Sequence, residues 1–256
     1  EKDRFAQRWA NGTLRTPRIV EIADTARGPY GISERVAGGP LDDLDEMGLG
    51  RVLPSLLSAM DAMRDADLSG TRGYGLWHGD GNAPHASWRD NLVGEDAPGE
   101  RAKQRDALAG SRVGSREFDI GLERMHELLS FCPEDRHLVH NDLLNFNVFV
   151  DASGVVLLDW GASIYGDFLY EVALLTFWWP WFQKKWRGID IRYEIERHYM
   201  AIGLAIPNYA ERLRCCELDI GISHIAFQVS RGELANAAWT ARRVTKLAAT
   251  PLSDSS

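Results

Sequence analysis

Between Leu138 and Gly161 the chain reads Leu-Val-His-Asn-Asp-Leu-Leu-Asn-Phe-Asn-Val-Phe-Val-Asp-Ala-Ser-Gly-Val-Val-Leu-Leu-Asp-Trp-Gly. No other stretch constrains the fold as much. Asn147 to Asp151 and Val155 to Asp159 are two short apolar strands joined across Ala152-Ser153-Gly154. That hairpin brings Asn147 and Asp159 to one mouth, and the loop just before it carries Asp142. Ionised side chains beside apolar strands are costly unless something uses them. Asp151 and Ser153 would suit any hairpin turn, and Asn147 could satisfy local backbone. Neither reading accounts for Asp142 and Asp159.

The flanking sequence predicts a mixed chain. Residues 2–10 read as the tail of a helix closed by Asn11-Gly12. Ile19 to Ala23 and Tyr30 to Val36 read as strands separated by the Gly28-Pro29 turn. From Leu41, apolar residues recur at helical spacing to Met63, behind an acidic first turn of Asp42, Asp43, Asp45 and Glu46 that suits the helix dipole. Residues 69–116, rich in Gly and Asp, predict a long connection with little regular structure. A helix around Phe118 to Leu129, the hairpin, and then helices to the end complete the pattern.

Composition narrows the function classes. Acids outnumber bases 37 to 29, a net charge of −8, which argues against broad binding to nucleic acid or an anionic membrane and for a cationic ligand. The 256 residues allow one large domain or two lobes. Cys132, Cys215 and Cys216 form no disulfide or zinc framework, so a reducing, cytoplasmic setting is expected. Cys215-Cys216 reads as packing. The apolar run from Val172 to Phe182 carries Pro180 and falls short of the roughly 20 residues a membrane span needs. The first residues, Glu1-Lys2-Asp3-Arg4, show no apolar secretory core.

His140-Asn141-Asp142 followed by Asn147 fits the pattern H-x-D-x-x-x-x-N of a kinase catalytic loop, and Asp159-Trp160-Gly161 stands where D-F-G would. Two oxygen donors at one mouth suit Mg²⁺, which takes a few protein oxygens plus phosphates. The third carboxylate is left to orient a hydroxyl nucleophile. A metallohydrolase built on His137, His140 and Asp142 is the enzymatic rival, but the remaining histidines show no ligand spacing.

With these residues the chain resembles the aminoglycoside phosphotransferase family, small-molecule kinases with a protein-kinase-like fold. The likeness is patchy but runs over most of the chain, from Lys2-Asp3-Arg4 through Arg136-His137-Leu138-Val139-His140 and Gly166-Asp167 to Ala237-Ala238-Trp239. Trp88-Arg89-Asp90 and Phe177-Trp178 with Pro180-Trp181 resemble the branch that acts on hygromycin B. The resemblance implies an α+β fold with a partial nucleotide-binding lobe and hinge over residues 1–38 and a mainly helical lobe over 39–256.

It also implies phosphoryl transfer from ATP, with GTP as the alternative donor, to a hydroxyl of a small cationic antibiotic. Asp142 would be the catalytic base, and Asn147 and Asp159 would hold Mg²⁺. Backbone at Glu34, Arg35 and Val36 would receive adenine, and Trp178 and Trp181 would lie near the substrate. Asp167 and Glu171 would either contact the cationic substrate or serve as a helix cap and an ion pair. A macrolide is the alternative acceptor, and a non-catalytic remnant that binds a ligand or partner is the alternative function. The family's phosphate-covering strands and their lysine do not precede residue 10, so these residues alone are expected to bind ATP weakly.

Overall fold

The innermost helix of the protein has no polar face. In a computed structural model, which describes residues 1–94, 100–182 and 185–251, helix α8 (Tyr209–Ser230) is buried around most of its circumference, with Phe227 and Ser230 exposed near its end. It is enclosed by α4 (Glu100–Leu108), α5 (Ser115–Leu128), α6 (Leu169–Phe182) and α9 (Leu234–Ala249). The approach is close where glycine permits it. A Cβ on Gly221 of α8 would lie 2.4 Å from Val244 of α9, and one on Gly121 of α5 would lie 2.6 Å from the same valine.

The rest of the chain folds around this bundle. Helix α1 (Lys2–Ala6) runs into a 3₁₀ turn, Gln7–Trp9. Strands β1 (Ile19–Thr25) and β2 (Gly28–Ser33) form an isolated antiparallel hairpin. Strand β3 (Gly39–Pro40) joins a sheet ordered β3-β6-β7 with β6 (Val148–Asp151) and β7 (Gly154–Leu157). A second sheet is ordered β4-β8-β5, from β4 (Gly75–Leu76), β8 (Ile164–Gly166) and β5 (His137–Val139). Helices α2 (Glu46–Arg64), α3 (Trp88–Val93) and α7 (Ile191–Ala201) complete the described residues.

Several sequence expectations shift. Asn11 does not cap a helix through a left-handed turn; its side chain instead accepts from Thr13 and Leu14 backbone N–H. Strand β2 ends at Ser33, so Glu34 to Val36 lie beyond it. The acidic run is split between a 3₁₀ turn, Leu41–Asp43, and α2, which Asp45 caps by accepting from Gly48 N–H at 2.7 Å. The expected long connection contains β4, α3 and α4. Several of its glycines take backbone conformations that side chains disfavour: Gly73, Gly81 and Gly75, the first residue of β4, all have positive φ.

The hydrophobic core is continuous from Ala6, Trp9 and Leu14 to the terminal helices. An aromatic cluster attaches α1 to the β4-β8-β5 sheet: Trp77 stacks on Tyr165 at 5.7 Å, and Trp9 meets both rings edge-on. No described helix is long and apolar enough to cross a membrane.

Two buried carboxylates at the start of α6 set its position. Asp167, wholly buried, accepts from Arg212 Nε at 2.9 Å and Nη2 at 2.8 Å, and its Oδ1 also accepts from Leu169 N–H. Glu171 is buried behind the loop at 140–142. Its Oε2 accepts from the backbone N–H of His140 at 2.6 Å and of Asn141 at 3.0 Å, while Oε1 has no partner. Burial pushes the Glu171 carboxyl up to about 7.

These anchors generate two predictions. Arg212→Ala strands Asp167 without its counter-ion and should cost about 3–5 kcal/mol in urea unfolding. For Glu171, the folded protein holds a proton between about pH 4.5 and 7 that the unfolded chain has released. Its contribution to stability is therefore present below 4.5 and lost as pH rises toward 7. Glu171→Gln keeps an acceptor for both N–H groups and has no charge to bury. It should be more stable than wild type at pH 8 by on the order of 2–3 kcal/mol, shrinking toward pH 5, in unfolding curves taken across that range.

Candidate active site

The catalytic-loop pattern folds as its spacing requires. Asp142 follows Asn141, whose left-handed backbone (φ 64°) is held by Glu171 behind it and by its own side chain donating to Ala162 C=O at 3.0 Å. Asn147 closes a 3₁₀ turn and leads into β6. Its Nδ2 donates to Asp142 Oδ2 at 2.7 Å and to the Asp142 carbonyl at 3.0 Å. The β6-β7 hairpin then returns the chain. Leu158 N–H donates to Asn147 C=O at 2.8 Å, which sets Asp159 beside the same mouth.

Asp159 also has a left-handed backbone (φ 58°), and its Oδ1 accepts from Gly161 N–H at 3.1 Å. Burial pushes Asp142 up to about 6; the Asn147 amide opposes the shift, and the nearby Asp159 charge adds to it. The donor chemistry fits a hard cation. With its NH₂ donating to Asp142, the Asn147 amide oxygen is left as a neutral donor to set beside the Asp159 carboxylate, and Mg²⁺ needs only one or two carboxylates when phosphates supply the rest.

Neither histidine of the loop is poised as a ligand. Burial pushes His140 down to about 4, its Nε2 bonds to Leu158 C=O at 2.9 Å, and its ring lies 4.7 Å from Trp160. His137 Nδ1 bonds to Arg64 C=O at 2.8 Å. Among the described residues no group of three His, Cys, Asp or Glu side chains could hold a metal.

Helix α1 clasps the turn after Asp159. Asp3 Oδ1 accepts from Trp160 N–H at 3.1 Å, and Lys2 Nζ donates to the carbonyls of Gly161 and Ser163, both at 2.9 Å. Sequence reasoning gave these two residues no role. They entered only as part of Lys2-Asp3-Arg4, one of the stretches that carry the family resemblance.

Asp142 opens into a cleft of about 680 Å³. The catalytic loop forms one wall. Tyr170, Leu174, Trp178 and Trp181 of α6 form another, and the third comes from the end of α8 and the start of α9, with His224, Glu233 and Asn236. Trp178 stacks on Trp239 (5.5 Å, 12°), and Trp181 meets the same ring edge-on at 5.3 Å. The structure therefore brings Asp142, Trp178 and Trp181 to one cleft; Asn147 is bonded to Asp142 and Asp159 lies near it, but neither lines the cleft.

Asp167 and Glu171 are not on that cleft. One carboxylate is taken up by Arg212 and the other by the catalytic-loop backbone. Direct contact with a cationic substrate, one of the two readings open from sequence, does not fit this burial; the cap and ion-pair reading does for Asp167. Glu34, Arg35 and Val36 lie apart, lining a cavity of about 240 Å³ with Thr16, Pro17 and Val156. Glu34 is tied there to Arg18, by backbone N–H to C=O at 2.9 Å and by side chains at 2.8 Å. The α8–α9 residues of the cleft escaped sequence reasoning because they are scattered polar positions on helices with no motif.

Comparison with known proteins agrees with this geometry. Hygromycin-B 4-O-kinase from Escherichia coli is 32% identical over 245 residues, covering 94% of this chain and 69% of that protein. The apo crystal structure of a thermostable mutant of aminoglycoside phosphotransferase APH(4)-Ia superposes with a TM-score of 0.82 at 32% identity, covering 96% of this chain and 82% of that one. A ternary complex of the same enzyme with AMP-PNP and hygromycin B gives 0.80 at 30% identity, over 96% and 81% of the two chains. A choline/ethanolamine kinase family protein from Mesorhizobium loti shares the fold at 14% identity, with a TM-score of 0.66 over 96% of this chain and 78% of that one. The α+β, protein-kinase-like fold expected from sequence is thus the observed one. The model of the family described as "Phosphotransferase enzyme family" matches residues 2–205, and the chain belongs to that family.

Proposed function

We propose that the chain transfers the γ-phosphoryl group of ATP to a hydroxyl of an aminocyclitol antibiotic, hygromycin B, and so confers resistance to it. The observation that carries this reading is the Asp142–Asn147 contact at the catalytic end of a cleft walled by Trp178 and Trp181. The substrate is supported by the relative named Hygromycin-B 4-O-kinase and by the similar enzyme solved with AMP-PNP and hygromycin B.

Asn147 fixes one oxygen of Asp142, so the other faces the acceptor hydroxyl and takes its proton. The hydroxyl oxygen then bonds to the γ-phosphorus while the bond to the β–γ bridging oxygen breaks, and ADP leaves. Asn147 and Asp159 are the residues that would hold Mg²⁺, which when bound neutralises charge on the phosphates. The protein's work is positioning and charge stabilisation. The hinge cavity at Glu34, Arg35 and Val36 is the place for the adenine ring, with residues 1–38 as the nucleotide-side lobe. Trp178 and Trp181 offer ring faces to sugars or cations.

Asp142→Asn should lower turnover about 100-fold or more, the scale of a lost general base. Its melting temperature should not fall, because the substitution removes a half-buried charge. Near-normal phosphorylation of hygromycin B by this variant, followed by ADP release, would remove Asp142 from the mechanism. In a sensitive bacterium the protein should raise resistance to hygromycin B and leave kanamycin, streptomycin and macrolide sensitivity unchanged. Protection against a macrolide alone would reassign the acceptor.

A further inference from the structure

An acceptor carrying several ammonium groups needs carboxylates on the cleft wall, and the two nearest in sequence to the hairpin are buried elsewhere. Among the described residues lining the cleft, only Asp142 and Glu233 are acids, and none is a lysine or arginine. His224 adds no charge, because burial lowers its pKa; its Nδ1 bonds to Ile220 C=O at 2.8 Å. Asp142 is committed to the hydroxyl. Glu233 is therefore the carboxylate left to meet an ammonium.

The fold holds Glu233 for that purpose. It sits at the turn between α8 and α9, where Gly232 takes a positive φ (75°) and Glu233 N–H donates to Gln228 C=O at 2.8 Å. Gln228 is itself anchored, accepting from Thr240 Oγ1 at 2.9 Å. The carboxylate accepts from Arg231 Nε at 3.0 Å and from Asn236 Nδ2 at 3.3 Å, and these partners keep it below the usual carboxylate range. Arg231 is largely solvent-exposed, with 59% of its side chain accessible, so its pairing is weak enough to yield to a competing cation.

We infer that Glu233 is a specificity-determining residue, its carboxylate receiving an ammonium group of the acceptor while the acceptor's hydroxyl reaches Asp142. Arg231 then acts as a resident competitor for the same carboxylate. This inference rests on the proposed function and adds the residue that selects cationic acceptors over neutral ones.

Steady-state kinetics of wild type, Glu233→Gln and Arg231→Gln with ATP and hygromycin B test it. Glu233→Gln keeps an acceptor for Asn236 and should raise the hygromycin B KM about tenfold, the scale of a lost charged hydrogen bond. Its kcat should stay within about twofold and its ATP KM should not change; added salt should narrow the gap to wild type. Arg231→Gln should move the antibiotic KM the other way. A residue that only shaped the α8–α9 turn would not split the two variants in opposite directions. An unchanged KM in Glu233→Gln, or a rise in both variants, overturns the assignment while wild-type turnover upholds the function. If wild type does not phosphorylate hygromycin B, the function reading fails. Calorimetric binding of hygromycin B and kanamycin then decides the inference: weaker binding by Glu233→Gln sustains it, and equal or absent binding overturns it.

Discussion

Three ionised side chains on α8 have almost no access to water, and each must find its partner on a neighbouring element. Arg212 meets Asp167 just before α6. Glu217, barely exposed, accepts from Thr176 Oγ1 at 2.8 Å and is bridged by Arg192 of α7, with Arg243 of α9 at 3.9 Å. Asp219 accepts from Tyr170 Oη at 2.7 Å and pairs with Arg101 of α4. Such contacts add little net stability when made, yet breaking one leaves a stranded charge. Their effect is on register. Asp167, Tyr170 and Thr176 all reach α8 from the α6 segment, so α6 has one allowed position along it.

That register gives α6 two tasks. Residues 171, 174 and 178 follow a helical stripe. Glu171 of this stripe faces the backbone of the catalytic loop, and Leu174 and Trp178 face the cleft. One helix thus fixes the distance between this wall of the cleft and the loop that carries Asp142. The loop turns through a left-handed backbone at Asn141, which asparagine tolerates better than most side chains but at some cost, and external support offsets that cost. Two backbone N–H groups aimed at one buried carboxylate supply it.

The arrangement of the candidate site was legible in the sequence where it was local. Asp142, Asn147 and Asp159 fall within a single loop and hairpin, and a two-strand turn leaves few ways to arrange them. Asp167 and Glu171 were harder to place because closeness in sequence to the hairpin says nothing about which side of a helix faces the cleft. Their partners decide it. Arg212 lies 45 residues downstream of Asp167, and only the packed bundle brings the two together. Helix α4 went unseen for the opposite reason. Its residues are strongly polar with little apolar patterning, and it is bound to the bundle largely through Arg101, which reaches Leu92 C=O, Ser223 and Asp219. Strands β4, β5 and β8 are two or three residues long, too short to leave a period-two pattern.

The two ends of the catalytic mouth are supported by different parts of the chain. Glu171, reaching from the helical bundle, holds the loop of Asp142; α1, from the first residues, holds the turn of Asp159 through Asp3 and Lys2. Lys2 lies 4.4 Å over the Trp77 ring, and partial burial lowers its ammonium to about 8, so its grip on Gly161 and Ser163 is set within the aromatic cluster rather than at the surface. The turn of Asp159 is itself tied to the loop of Asp142, by Asn141 Nδ2 donating to Ala162 C=O and by His140 Nε2 bonding to Leu158 C=O. The clasp of α1 and the support from α6 thus bear on one site, where the productive arrangement of reacting groups has to be held closely.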